Sequence, residues 1–172
     1  LFDEGGRIAQ SGSIHYDLLK TLNQLPYYKQ NFPKSLGREW INSEFWPITR
    51  DFPNVKNEDL MKTFADHIAG QIAKSIDLLS GNAGEGRKML VTGGGAYNET
   101  LIELIQTHSD IEVIVPQDSL LIEYKEALLF AYLGCLRISN LNNCLGSATG
   151  AKNDNIGGAL YGDFSKITNH VL

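Results

Sequence analysis

Apolar positions recur at helical spacing in several stretches of the chain and run together briefly in two others. Ile14, Leu18, Leu19 and Leu22 predict a helix that opens at Ile14-His15-Tyr16, with Ser13 as its N-cap and Pro26 just past its end. Leu60, Phe64, Ile68, Ile72, Ile76 and Leu79 predict a longer one. Asn57 suits its N-cap, Glu58 and Asp59 suit its positive end, and Gly81 suits its C-cap. Lys88 to Thr92 carries Met89, Leu90 and Val91, a short buried strand broken by Gly93-Gly94-Gly95. A helix over 98–107, a strand over 111–115 ended by Pro116, and a long helix over 120–138 follow. Residues 26–56 hold four of the five prolines, so they read as a connector with short helical turns. Leu1 to Gln10, with Gly5-Gly6, reads as turn or loop, as does Gly81 to Gly86. The Gly-, Asn- and Ser-rich tail from Asn140 reads as mostly loop, and there is no internal repeat.

The order helix, strand, helix, strand, helix implies an α/β fold, rich in helix, with two neighbouring parallel strands and helical crossovers. Two strands leave both sheet edges open, so the rest of the sheet is expected outside these 172 residues. The chain opens at Leu1-Phe2-Asp3-Glu4 without Met, as mid-protein sequence does, and is expected to be part of a longer protein. Apolar residues make up 42% and charged residues 20%, enough for a real core. Fifteen Lys and Arg against twenty Asp and Glu leave a net charge of -5, the wrong sign for a non-specific nucleic-acid binder. No stretch reaches the roughly 20 apolar residues that span a bilayer, and no secretory signal opens the chain. Cys135 and Cys144 show no CxxC spacing and read as reduced thiols of a cytoplasmic protein.

Chemistry concentrates in a few places. Val91-Thr92-Gly93-Gly94-Gly95-Ala96-Tyr97-Asn98 joins a buried strand to a helix through three glycines. Bare Cα atoms and free N–H groups there let phosphate oxygens approach; a tight turn explains the glycines equally well. Lys34, Ser35, Arg38 and Glu39 surround Gly37, and the two cations can hold a phosphate or carboxylate, or simply tie down a loop. Glu126, at the start of an apolar helix, is either a solvated first-turn charge or an acceptor for a sugar hydroxyl. Gly84-Glu85-Gly86-Arg87-Lys88 lacks the Ser or Thr of a phosphate loop and reads as solvated loop. Ser147 to Ala151 is a small-residue loop, fit for a ligand, another lobe or solvent. His15, His67, His108 and His170 lie far apart, read as surface or helix-face residues, and show no zinc spacing.

Four blocks in order resemble the C-terminal half of the anhydro-N-acetylmuramic acid kinase family. They are Pro33-Lys34-Ser35…Gly37-Arg38-Glu39, Gly93-Gly94-Gly95-Ala96…Asn98, Glu126-Ala127…Phe130-Ala131 and Ser147…Thr149-Gly150-Ala151. The opening Asp3-Glu4-Gly5-Gly6…Ala9…Ser11-Gly12 is similar to the family too. Leu36 and Ala148 depart from it, standing where the family usually has Thr and Val.

The resemblance implies the C-terminal lobe of an actin-like, ribonuclease-H-like sugar kinase. Residues 1–56 would be its helix and connector and 57–172 its nucleotide-side core. It implies ATP and Mg²⁺ as cofactors and 1,6-anhydro-N-acetylmuramic acid as substrate, opened by water while O6 is phosphorylated, in cytoplasmic recycling of cell-wall sugar. Gly93, Gly94, Gly95 and Asn98 would face the nucleotide, Glu126 the sugar, and Lys34 and Arg38 the cleft. The family's general base is an Asp in a DTGPGN-like segment, which is absent here and expected upstream of Leu1 in an N-terminal lobe. The implied partners are that lobe, the sugar and, as a candidate assembly, a homodimer, with neither nucleic acid nor membrane. Residues 1–172 alone are expected to be inactive. A non-catalytic module of the same ancestry, binding nucleotide or a partner, is the competing reading.

Overall fold

A computed structural model describes residues 3–31, 34–80 and 87–162. The chain divides into two compact units, 1–117 and 118–172. In the first, a 3-10 turn (Glu4–Gly6) leads into α1 (Arg7–Ser11) and α2 (Tyr16–Asn23). A second 3-10 turn (Pro26–Lys29) precedes α3 (Arg38–Trp40), a π turn (Ile41–Phe45), α4 (Trp46–Ile48) and a last 3-10 turn (Thr49–Asp51). Then come α5 (Asn57–Ser80), β1 (Lys88–Leu90), α6 (Glu99–His108) and β2 (Glu112–Ile114). The second unit holds α7 (Ser119–Glu123), α8 (Lys125–Ile138) and α9 (Gly146–Thr149). No described helix is long and apolar enough to cross a membrane.

The connector over 38–51 is helical almost throughout, in short pieces. Its π turn ends just before Trp46-Pro47, where proline has no N–H to continue the ladder. The pieces coil around one apolar cluster. Leu18 and Leu22 of α2 are fully buried with Leu25 and Phe45, and Tyr28, Trp40, Ile48, Phe52, Leu60 and Phe64 pack around them. Aromatic rings knit the cluster, Phe45 to Phe64 at 5.0 Å and Tyr27 to Trp40 at 5.2 Å between centroids.

The two strands pair in parallel, Lys88 opposite Glu112 and Leu90 opposite Ile114, with α6 as the crossover. Lys88 Nζ meets Glu112 Oε2 across the strands at 2.9 Å. Gln106 pins helix to strand: its Nε2 donates to Ile111 O at 2.9 Å, and its Oε1 accepts from Val113 N–H at 2.9 Å.

Several sequence expectations need correction. The opening stretch is not loop: the Asp3 carboxylate accepts from the N–H groups of Ile8 (2.8 Å) and Ala9 (3.0 Å) and nucleates α1. Ser13 is not the cap of α2. His15 Nδ1 takes that role, accepting from Leu18 N–H at 3.3 Å, while Ser13 N–H is held by Asp59. The helix expected over 120–138 breaks at Tyr124, whose backbone leaves the helical region, and nothing in the sequence marks that break. Gly81, its proposed cap role and the 81–86 turn lie outside the described residues, as does His170.

The largest correction concerns α5. The helix forms where its periodicity placed it, but its apolar stripe is only partly covered: Leu60 and Phe64 pack on the cluster and Ile72 and Ile76 are half-buried, while the most deeply buried positions are others. Ile68 is 43% exposed and Leu79 77%, whereas Ala65, Ala69 and Ala73 are buried beside Thr63, Asp66 and His67. Both α1 and α6 pack on α5, and small side chains let helices approach closely. Gly12 is closer still: a Cβ there would overlap the carbonyl of Glu58.

The buried polar residues of α5 are all partnered. Thr63 Oγ1 accepts from His15 N–H at 2.9 Å and donates to Asp59 O at 2.6 Å. Asp66 Oδ1 meets His108 Nε2 at 2.9 Å. His67, read from sequence as a surface or helix-face residue, is 2% exposed. Its Nδ1 lies 3.0 Å from Asn23 Oδ1, which also accepts from Gln71 Nε2 at 2.7 Å, so Nδ1 carries the proton. Its Nε2 then accepts from Tyr28 OH at 2.9 Å. Burial, aided by the Lys74 charge, pushes the His67 pKa down from 6.5 to about 4. Burial also raises the Tyr28 hydroxyl.

A depressed histidine pKa means that the unfolded chain binds the proton first. Stability is therefore whole above pH 6.5 and falls as the pH drops towards 4. That interval corresponds to about 3 kcal/mol. Urea melts of wild type and His67→Gln between pH 7 and pH 4 should show the variant weaker at pH 7 but with a flatter pH slope. Parallel slopes would show that another group carries the dependence.

Candidate functional site

The strand-to-helix turn after β1 is tightly specified at both ends. Val91 N–H donates to Ile114 O at 2.9 Å and keeps the chain on the sheet to the edge of the glycines. Gly93 then turns with φ 79° and ψ 177°, a region open essentially to glycine alone. Gly94–Tyr97 form a 3-10 turn in which Ala96 N–H donates to Gly93 O (2.9 Å) and Asn98 N–H to Gly95 O (3.1 Å). Ala96 is buried and anchors the turn. Asn98 ends it and caps α6, its Oδ1 accepting from Leu101 N–H at 3.0 Å. The structure thus gives Asn98 a capping bond in addition to the ligand role expected of it.

The three glycines differ in what explains them. Backbone conformation requires the first. Gly94 and Gly95 are exposed, their φ values are ones that any residue adopts, and a Cβ on either would meet nothing within 4 Å. Among the described residues, neither conformation nor packing calls for glycine there. The leading N–H groups of a helical turn have no acceptor inside it, and no side chain caps this one. The turn offers bare, donor-rich backbone to open space.

Beside it lies a cleft of about 520 Å³ that sequence reading missed, lined by Glu4, Arg7, Gln10, Tyr97, Glu99 and Glu103. The cleft exists because the Asp3–Ser11 segment folds against the first turn of α6, where Thr100 Oγ1 donates to Gly6 O at 2.9 Å. The pairing of sequence-distant Gly6 with Thr100 is the signal, and no local pattern reveals it.

Lys34 sits elsewhere in the same unit. Its Nζ donates to Tyr27 O at 3.2 Å and lies 4.9 Å above the Tyr27 ring. With Tyr27, Tyr28, Gln71, Lys74 and Leu78 it lines a pocket of about 280 Å³. Arg38 opens α3, is exposed and does not line that pocket. Pro33 lies outside the described residues, as do Gly84, Glu85 and Gly86.

In the second unit, Glu126 stands exposed in the first turn of α8. The tail over 143–158 is built around Asn143, another residue that sequence reading passed over. Its Nδ2 donates to Leu133 O (3.2 Å) and Gly157 O (3.3 Å), and its Oδ1 accepts from Gly157 N–H (2.7 Å). Ser147 to Thr149 belong to α9, which ends at Gly150 in the left-handed conformation with φ 76°. Both cysteines are free thiols. Among the described residues, no group of three or more His, Cys, Asp or Glu side chains is placed to hold a metal ion.

Comparison with known proteins adds to this geometry. The family described as anhydro-N-acetylmuramic acid kinase matches residues 1–163. The anhydro-N-acetylmuramic acid kinase of Francisella tularensis subsp. novicida is 35% identical over 153 residues, covering 88% of this chain and 40% of that protein. That of Vibrio vulnificus is 32% identical over 162 residues, 93% of this chain and 43% of the relative. That of Rhodococcus erythropolis is 32% identical, covering 92% and 40%. The chain spans about two fifths of the length of the curated relatives it matches.

The contrast among the glycines is directly measurable. Gly93→Ala should lower stability by about 1–3 kcal/mol through strain at positive φ. Gly94→Ala and Gly95→Ala should leave it unchanged or raise it by up to about 1 kcal/mol by restricting the unfolded chain. Thermal or urea melts of the three variants test this, and equal losses at all three would show hidden crowding at the second and third positions.

Proposed function

Because the chain belongs to the anhydro-N-acetylmuramic acid kinase family, we propose that it forms the C-terminal, nucleotide-side part of a kinase. The reaction converts 1,6-anhydro-N-acetylmuramic acid to N-acetylmuramic acid 6-phosphate with ATP and Mg²⁺, in cytoplasmic recycling of cell-wall sugar. The surrounding architecture in this reading is a two-lobed, actin-like sugar kinase. The observation that carries the proposal is the pair Gly94 and Gly95, glycines that neither their backbone conformation nor packing among the described residues requires.

ATP with its Mg²⁺ supplies the phosphoryl group, and a water molecule opens the anhydro ring. Phosphoryl transfer asks the protein mainly for positioning and charge stabilisation. The residues present fit a nucleotide: the Gly93–Gly95 turn presents N–H donors, and with no Cβ at Gly94 and Gly95 a ligand can touch the main chain. Glu126 accepts a hydrogen bond from a sugar hydroxyl, a role open to an exposed carboxylate. Lys34 and Arg38 would lie near the interlobe cleft of the full-length enzyme, without an assigned role; in this chain Lys34 is held over Tyr27, in a pocket apart from the glycine turn. The proton of the attacking water would go to the Asp that the family resemblance places upstream of Leu1, and Mg²⁺ would accompany the ATP phosphates and offset their charge; among the described residues no cluster of His, Cys, Asp or Glu is placed to hold it.

Gly94→Val in the full-length enzyme should weaken ATP binding at least tenfold without lowering the melting temperature, since a valine side chain would enter open space that the nucleotide needs. Calorimetric titration decides it, and unchanged affinity would remove the nucleotide role of the turn. Glu126→Ala should reduce kcat/KM for the anhydro-sugar about ten- to a hundredfold, the cost of a lost charged hydrogen bond. ATP affinity should stay the same. Normal sugar kinetics would return Glu126 to the status of a solvated helix-end charge.

A further inference from the structure

The segment that opens the chain has no part in the function proposed above, yet it is built with unusual care. Asp3 closes a turn on itself: its carbonyl accepts from Gly6 N–H at 3.1 Å, and its carboxylate caps α1. Gly5 and Gly6 both take the left-handed conformation, at φ 66° and 76°. Around Gly5 a Cβ would meet only the flexible side chain of Arg7, at 4.0 Å. Gly6 is different, being buried. A Cβ there would overlap Asn98 Oδ1 and lie 2.7 Å from Thr100 Cβ. The Gly6 carbonyl accepts from Thr100 Oγ1 at 2.9 Å, and Thr100 is 3% exposed.

We infer that Gly6 and Thr100 form a positioning latch for the glycine turn: Gly6 is pressed onto the Asn98 carboxamide and Thr100 bolts the two segments together. The connection to the turn is short. Asn98 Oδ1 caps α6 through Leu101 N–H, and Asn98 N–H holds Gly95 O at 3.1 Å. A shift of Asn98 therefore acts on Gly95 directly, through the hydrogen bond between the Asn98 N–H and the Gly95 carbonyl. The latch also explains why the αL turn at Gly6 sits here, since only a residue without Cβ can lie flat against a capping side chain. The inference rests on the reading that the glycine turn meets the nucleotide. Gly6 and Thr100 touch no substrate in this account and act through Asn98.

The test uses the full-length enzyme with Thr100→Val, Thr100→Ser and Gly6→Ala, and Gly94→Val as the reference for the turn itself. Val keeps the shape of Thr but leaves the Gly6 carbonyl buried without its donor. Thr100→Val should raise the ATP dissociation constant and KM about tenfold, with the sugar KM within about twofold of wild type, on the scale of one lost buried hydrogen bond. Thr100→Ser keeps the hydroxyl and should restore near-normal ATP affinity. Gly6→Ala should match or exceed the effect of Thr100→Val; if it fails to fold, the Thr100 pair decides alone. If Thr100→Val only lowers the melting temperature, with ATP affinity unchanged while Gly94→Val weakens it, the latch is overturned and the nucleotide reading stands. If neither Thr100→Val nor Gly94→Val alters ATP affinity, the nucleotide reading falls and the latch falls with it.

Discussion

The buried polar row of α5 is the constraint on which the first unit depends. Buried Thr63, Asp66 and His67, with half-buried Asp59 and Gln71, reach four neighbours: Asp59 the loop at Ser13, Thr63 the cap at His15, Asp66 the end of α6 at His108, and His67 and Gln71 together Asn23 of α2, His67 also meeting Tyr28. A buried polar group left without its partner costs about 1–3 kcal/mol. Rotating α5 by one residue would break several of these bonds together. An apolar stripe alone tolerates some rotation, because dispersion and burial carry no direction. The polar row does not, and it fixes which face of α5 receives α1, α2 and α6.

The glycine turn inherits its place from that frame. The C-terminal end of α6 is tied to α5 through His108 and Asp66, and its first turn to the opening segment through Thr100 and Gly6. Gln106, in the last turn of the same helix, fastens it to β2. With α6 held at three points, Asn98 and the turn before it have little freedom. Such pre-organisation would suit the nucleotide role proposed for the turn, because the ordering would be complete before the ligand arrives.

The second unit follows different rules. Helix α8 is apolar around most of its circumference, yet none of its residues is buried, and Leu128, Phe130 and Tyr132 are 59–72% exposed. A helix with that composition belongs in an interior. Its order comes in part from the tail, where Asn143 binds Leu133 and Gly157, and Arg137 Nε holds Gly158 O at 2.9 Å.

Local pattern carries much of this protein. The helices at 57–80 and 99–108, the positions of both strands, their parallel pairing and the strand–glycine–helix turn follow from side-chain periodicity and from glycine's conformational range, but β1 is not the buried strand expected, since Leu90 is 62% exposed. The four motif blocks, in order, were sufficient for the family. Tertiary structure alone decided what those patterns face. It buried Ala65, Ala69 and Ala73 of α5 and left Ile68 and Leu79 exposed. It buried His67 with Asn23 and Tyr28, partners 44 and 39 residues away. It joined Gly6 to Thr100 across 94 residues of sequence. The last two are directional hydrogen bonds between groups remote in the chain. Periodicity reports only which residues share a face of one element, so such bonds leave no trace in it and exist only once the elements have docked.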